Sequence, residues 1–315
     1  KYVVKKKNKA YTDRLLQNIY FLEKFNPKGY WRTVNKLRKH KEDQNPIDID
    51  TWSAYFKELH KCKPNQLFDQ EFEKTVNEKL KSLRANGHTD NAVFDKTISD
   101  EEILDACRRL KSGKATSADA ISNEMLKAST EVVLPVYNQL FNKILVSGQY
   151  PDNWAVGLIV PIFKGGDAKE TTNYRGISVL SCLGKLFASI INSRISHFIT
   201  ENNLIHKSQI GFKEKHRTAD HIFVLKTLIQ DYKEQRKHMF CCFLDFKKAY
   251  DSVWHAGLVY KLYEMGFGSR FVDLIANMYS KAKAKIKLYE QGQQILSHEF
   301  SVEVGARQGC ILSPY

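Results

Sequence analysis

The chain has 315 residues, 43% of them hydrophobic, enough for a sizeable buried core and against a disordered chain. Lys and Arg number 49 against 35 Asp and Glu, for a formal net charge of +14 and a pI near 9.3; this suits a polyanionic partner such as nucleic acid, or equally a basic protein with no special partner. No apolar run approaches a membrane span, no secretory leader opens the chain, and the six cysteines lack Cys-x-x-Cys and zinc-finger spacing, so reduced core thiols and an intracellular, non-secreted location in cytoplasm or nucleus are expected.

The chain opens on Lys1 rather than Met, so its start is expected to be a cut in a longer polypeptide, and five lysines in the first ten residues read as a solvated tail or a nucleic-acid contact. Trp52, Tyr55, Phe56 and Leu59 recur at helical spacing, as do Phe68, Phe72, Val76 and Leu80. They predict a helical front segment broken at Asn45-Pro46 and Lys63-Pro64. Weak periodicity from Asn86 to Thr97, around Gly87, marks a boundary that divides the chain into 1–95 and 96–315. Ser99 and Glu102 form a capping box ahead of Ile103, Cys107 and Leu110, which share a helix face. A second long helix should carry Val132, Val133, Val136, Leu140, Phe141 and Ile144 and stop at Gly148.

The pattern then changes. Residues 154–163 predict a buried strand, Lys164-Gly165-Gly166-Asp167 a turn, and residues 174–180 a returning strand. Helices are expected over 183–198 and 218–232, and a short apolar strand over 239–246, with Cys241 and Cys242 on opposite faces. Two more helices, around 258–263 and 271–279, precede a hairpin of 283–289 and 295–302 turning at Gln291-Gly292. No internal repeat or low-complexity tract is present.

Three constellations can carry chemistry. Asp245 closes the 240–246 strand and is followed by Phe246 and Lys247-Lys248-Ala249-Tyr250-Asp251; a carboxylate there is costly unless a divalent cation offsets it, and a helix N-cap is the competing role. In 305–314, Gly305 and Gly309 stand four apart and let backbone approach a ligand closely, with Gln308 between them able to hydrogen-bond a base or sugar edge. The third is the hairpin with Lys164 at the end of its first strand and Arg175 on its return, two cations on one side of a tight turn. They suit a triphosphate clamp, and equally a pair of solvated surface charges.

In this order and spacing, Asn173-Tyr174-Arg175-Gly176-Ile177-Ser178, Asp245-Phe246-Lys247-Lys248-Ala249-Tyr250-Asp251-Ser252-Val253 and Arg307-Gln308-Gly309-Cys310-Ile311-Leu312-Ser313-Pro314 resemble the motifs of reverse transcriptases from non-LTR, LINE-class, jockey-like retrotransposons. Further similar stretches are 151–154, 184–194, Gln209-Ile210-Gly211-Phe212 with 217–220, and 114–121 with Glu124, Leu126 and Lys127, so the likeness runs from Lys111 to Tyr315.

The resemblance implies an α+β, right-hand polymerase with fingers and a partial palm, core motifs from about residue 145, preceded by a helical extension that joins an endonuclease to the polymerase in such elements. It implies RNA-directed DNA synthesis by two-metal phosphoryl transfer, with Mg2+ as cofactor and an RNA template, a DNA primer and deoxynucleoside triphosphates as partners. By the same resemblance, Asp245 would hold the Mg2+ ions with help from the Phe246 carbonyl, and Lys164 and Arg175 would grip the triphosphate. Tyr250 would crowd the sugar 2′ carbon, and Gln308 and Gly309 would line the nascent pair and template.

Two departures concern Ser117-Ala118, where Gly usually precedes the Asp-x-Ile of the entry motif, and Gly176, where Pro often follows the arginine. The aromatic-Ala-Asp-Asp hairpin of the family would follow Leu312-Ser313-Pro314, where the sequence ends at Tyr315. The chain is therefore expected to be a C-terminally truncated fragment, silent alone, with a bare palm sheet edge and poor solubility. The competing expectation is a decayed or domesticated copy that only binds RNA or DNA.

Overall fold

The computed structural model describes residues 2–27, 29–31, 33, 46–62, 69–85, 87, 89–213, 216–290 and 293–313. Asn45, Lys63, Pro64, Phe68, Asn86, Gln291, Gly292, Pro314 and Tyr315, which carry expectations above, lie outside them, as do the side chains of the N-terminal lysines. The chain divides into two compact units, Lys1–Asn45 and Pro46–Tyr315. The first is built on helix α1 (Tyr2–Phe25), with Leu16, Tyr20, Phe21 and Phe25 exposed. The described residues of 46–95, expected to belong with the front segment, fall in the larger unit.

The larger unit is α+β. Helix α2 (Ile49–Leu59) starts where the Asp48 carboxylate accepts from Thr51 N at 2.8 Å, a side-chain cap that satisfies an otherwise orphaned N–H. Its Trp52 and Phe56 are buried against Ile159, Tyr174, Ala284, Ile286 and Phe300, so the front helix closes one face of the sheet. Helix α3 (Gln70–Ala85) buries Val76 and Leu80 while Phe72 stays exposed, and the short α4 (Ala92–Asp95) drives Phe94 into the main core. The capping box forms as expected: Ser99 Oγ accepts from Glu102 N and Glu102 Oε2 from Ser99 N, starting α5 (Asp100–Arg109).

Helix α6 (Asn123–Ser147) ends on Gly148 in the left-handed region at φ 64°, its N–H bonded to Ile144 O. Its buried side includes Tyr137, Phe141, Ile144 and Leu145, whereas Val132 and Val136 are exposed. A short helical turn α7 (Asp152–Ala155) takes up the first residues expected in the strand, so β1 runs Val156–Phe163. It buries Leu158 and Ile159, and its far end, Ile162 and Phe163, is exposed. A 3-10 turn at Thr171–Asn173 leads into β2 (Tyr174–Val179). Helices α8 (Cys182–Glu201), α9 (Thr218–Glu234), α10 (His255–Glu264) and α11 (Ser269–Ser280) follow, then β3 (Lys283–Glu290), β4 (Gln293–Leu296) and β5 (Phe300–Ser301). The expected 295–302 strand is thus two short strands.

The sheet order is β2-β1-β3-β4, with β5 also on β3; β1 pairs antiparallel with β2 and parallel with β3, and the helices α8 to α11 fill the long crossover between β1 and β3. Helices α3 to α8, α10 and α11 share one core around Phe94, Phe141, Trp154, Phe187, Phe198 and Phe271. Among the described residues no helix is long and apolar enough to cross a membrane.

The expected strand over 239–246 does not form. The segment is irregular, and Phe240, Phe243, Leu244 and Phe246 are 80–93% exposed. A strand is stable when its N–H and C=O groups pair and one face is covered, and no described strand pairs with this one. Cys241 and Cys242, expected in the core, are exposed free thiols, while Cys107 and Cys182 are buried. Helix α9, next to it in sequence, buries no residue and leaves Ile222, Phe223, Val224, Leu228 and Ile229 in solvent.

Candidate active site

The β1–β2 hairpin sets the first cations. Ile162 lies opposite Arg175 and Phe163 opposite Tyr174, and Lys164 N donates to Asn173 O at 2.9 Å. Strand alternation puts Lys164 on the face of Ile162, which the directly opposed Arg175 shares, and both cations are exposed. The turn between them needs its glycines: Gly165 and Gly166 have φ of 131° and 93°, and a Cβ on Gly166 would sit 2.8 Å from Asn173 Nδ2.

The Gly305–Gly309 loop lies against both the hairpin and the turn after Asp245. Gly305 N donates to Val253 O at 2.8 Å and Ala306 N to Tyr250 O at 2.6 Å, and Trp254 bridges antiparallel to Val304. Gly305, at φ 96°, leaves 3.0 Å between a would-be Cβ and Asp251 O. On the other side Gln308 O accepts from Ser178 N at 2.7 Å, and Gly309, at φ 121°, would place a Cβ 2.5 Å from Ser178 O. The two glycines therefore serve close backbone approach, to protein on both sides. Tyr250, Gln308 and Gly309 are brought together with the strand that bears Arg175.

Buried polar groups hold this loop in place. The carbonyls of Val304 and Gly305 are within hydrogen-bond distance of His60 Nδ1 (3.1 Å) and His255 Nε2 (2.9 Å), and burial pushes both imidazoles below their ordinary 6.5. Arg307, 5% exposed, donates from Nη1 to Trp154 O and Ala155 O and lies over the Tyr150 ring at 6.0 Å. Burial raises the Tyr150 hydroxyl to about 12 although Arg307 opposes the shift. Gln308 Nε2 donates to Asp251 Oδ1 at 3.1 Å. A cavity of about 20 Å3 among Phe56, His60, Gly176, Asp251, Lys283 and Gln308 has room for about one water molecule.

Asp245 and Phe246 make none of these contacts. They lie on the exposed 239–246 segment, and among the described residues Asp245 makes no hydrogen bond or ion pair. No three His, Cys, Asp or Glu side chains among the described residues gather into a metal-holding group. Sequence reasoning did not single out Asp251, Ser178, His60, His255 or Arg307. Asp251, Ser178 and Arg307 are inside the quoted motifs and could have been found there, whereas nothing local marks His60, 244 residues from Val304.

Residues 164–315, which contain the hairpin cations, the Asp245 turn and the glycine loop, match the family model for reverse transcriptase (RNA-dependent DNA polymerase). Over this stretch, just under half of the chain, the sequence is similar to the reverse transcriptase family. Relatives include "Probable RNA-directed DNA polymerase from transposon BS" of Drosophila melanogaster, 27% identical over 220 residues, 70% of this chain and 24% of that protein. The RNA-directed DNA polymerase from mobile element jockey of Drosophila funebris is 28% identical over 215 residues, covering 68% and 23%. The retrovirus-related Pol polyprotein from type-1 retrotransposable element R2 of Popillia japonica is 27% identical over 218 residues, covering 69% and 29%. The matched stretch of the chain thus spans about a quarter of the length of these relatives.

Proposed function

We propose that this chain is the fingers and part of the palm of an RNA-directed DNA polymerase from a non-LTR mobile element, with residues 1–95 leading into a polymerase region over 96–315. Its partners are an RNA template, a DNA primer and deoxynucleoside triphosphates. The supporting observation is the Ser178 N to Gln308 O bond of 2.7 Å, which joins the strand bearing Arg175 to the glycine loop that is itself fastened at Tyr250. In this reading Lys164 and Arg175 bind the triphosphate, the Tyr250 ring crowds the sugar 2′ carbon, and Gln308 and Gly309 face the nascent pair and template.

Phosphoryl transfer of this class uses carboxylates from two sides to hold two Mg2+ ions, and Mg2+ takes about six oxygens. Asp245, with the Phe246 carbonyl, supplies one side only, and the described residues by themselves do not make up a Mg2+ site. The 315-residue polypeptide expressed alone is therefore expected to bind nucleic acid through its net charge of +14 without extending a primer. The second reading is a copy that binds RNA or DNA through its basic charge and does no chemistry.

Primer extension on an RNA template decides between them. The full-length protein should add deoxynucleotides, and Asp245→Asn should abolish addition while leaving RNA affinity unaltered. Template-independent behaviour, or full activity of Asp245→Asn, refutes the polymerase assignment; a full-length protein that binds RNA and extends nothing supports the second reading.

A further inference from the structure

The half-buried Asp251 carboxylate, one residue beyond Tyr250, accepts a hydrogen bond from Gln308 Nε2 at 3.1 Å. An ionised carboxylate has no proton to give, so of the two ends of the glutamine amide only the NH2 can face it. The Gln308 main chain is held separately, its carbonyl on Ser178 N, with Gly305 pressed on the Asp251 backbone and Gly309 on Ser178 O. With the backbone fixed and one Nε2–H on Asp251, the amide is held in one orientation, its Oε1 acceptor on the side away from that carboxylate.

We propose that Asp251 is a positioning residue whose carboxylate turns the Gln308 amide so that its carbonyl oxygen meets a hydrogen-bond donor at the nascent base pair. The role rests on the assignment above of Gln308 to that pair. Two groups there have the required chemistry: a sugar hydroxyl of the incoming nucleotide, and the exocyclic amino group that guanine presents in the minor groove. A glutamine without this carboxylate could present either end of its amide at that place; Asp251 fixes the acceptor end there.

Single-nucleotide incorporation by the full-length protein tests this. Gln308→Glu sets two carboxylates against each other and is expected to raise the nucleotide KM by roughly tenfold or more. Adding Asp251→Asn to it gives the introduced glutamate an NH2 partner and leaves its second oxygen outward as an acceptor, so KM should return to within about threefold of wild type. A double variant no better than Gln308→Glu overturns the role of Asp251. Using a 2′,3′-dideoxynucleotide, or inosine for template guanosine, removes one donor at a time. The wild type should lose roughly tenfold in kcat/KM with one of the two and Gln308→Glu should lose nothing further; equal handling of all substrates by the wild type overturns the proposal. If Gln308→Ala keeps the wild-type KM, the assignment of Gln308 to the nascent pair fails, and the role of Asp251 with it.

Discussion

Arg194 and Glu102 meet in a two-pronged ion pair, Nε to Oε1 and Nη2 to Oε2, both at 2.8 Å, while the same guanidinium donates to Lys96 O and Thr97 O. One carboxylate thus serves the capping box of α5 and the anchor of α8. Arg194 is 6% exposed, so removing its partner strands a buried cation. Glu102→Gln should lower stability by about 3 kcal/mol at neutral pH, read from denaturant melts. Burial pushes the Glu102 carboxyl up, but the bonds from Arg194 and Ser99 outweigh it and hold the group below 4.5. A carboxyl depressed on folding contributes fully above its unfolded value and loses that contribution as pH falls through the folded one. The gap between wild type and Glu102→Gln should therefore narrow as pH is taken well below 4.5.

Gly309→Ala tests the contact between loop and hairpin. At φ 121° the new methyl would be 2.5 Å from Ser178 O, so the loop must withdraw and the Ser178 N to Gln308 O bond must lengthen or break. Amide hydrogen exchange at Ser178 should accelerate, with a loss on the order of 1–3 kcal/mol in local stability. Unchanged protection at Ser178 would mean the loop sits elsewhere.

Gly176→Ala probes the seat of the front helix. Its Cβ would meet Phe56 Cε1 at 2.5 Å and Ile159 Cγ2 at 3.0 Å, with ordinary strand backbone, so the fault is crowding alone. A cost of about 1–3 kcal/mol is expected, and Phe56→Leu in the same chain should recover part of it. Two separate losses that simply add would place Phe56 away from β2.

The two histidines on the loop give a second pH dependence. Burial keeps His60 and His255 neutral below their ordinary 6.5, so the unfolded chain gains protons there before the folded one does. Stability should be flat above pH 6.5 and fall as pH drops through the depressed folded values. His60→Gln, which keeps a donor for Val304 O, should flatten part of that slope in melts taken across this range.

Where local chemistry and tertiary packing agree, the sequence was readable. Ser99 with Glu102, Gly148 at a helix end and the apolar run of β1 each carry their own stereochemical reason, and each forms. Gly305 and Gly309 were legible as a close backbone approach, whereas the roles of Lys164, Arg175, Gln308 and Gly309 came only from the resemblance and not from any local mark. The 239–246 run was misread because apolar content announces a strand without saying what it pairs with, and pairing is a property of distant chain. The same limit hid the parallel β1–β3 ladder, whose strands are separated by four helices, and the His60 contact with Val304. Gly176 departs from the family's usual proline, and the ring of Phe56 against it supplies a reason that only the packed structure contains.

The exposed side of α9 and the 239–246 segment also bear on calorimetry. Globular proteins take up roughly 12–15 cal/mol/K per residue on unfolding because apolar surface newly meets water. Phe223, Leu228, Phe240, Phe243, Leu244 and Phe246 already meet it in the folded chain. The heat-capacity increment of this polypeptide must fall short of what its length implies, and any protein surface that later covers those side chains will announce itself as the missing heat capacity.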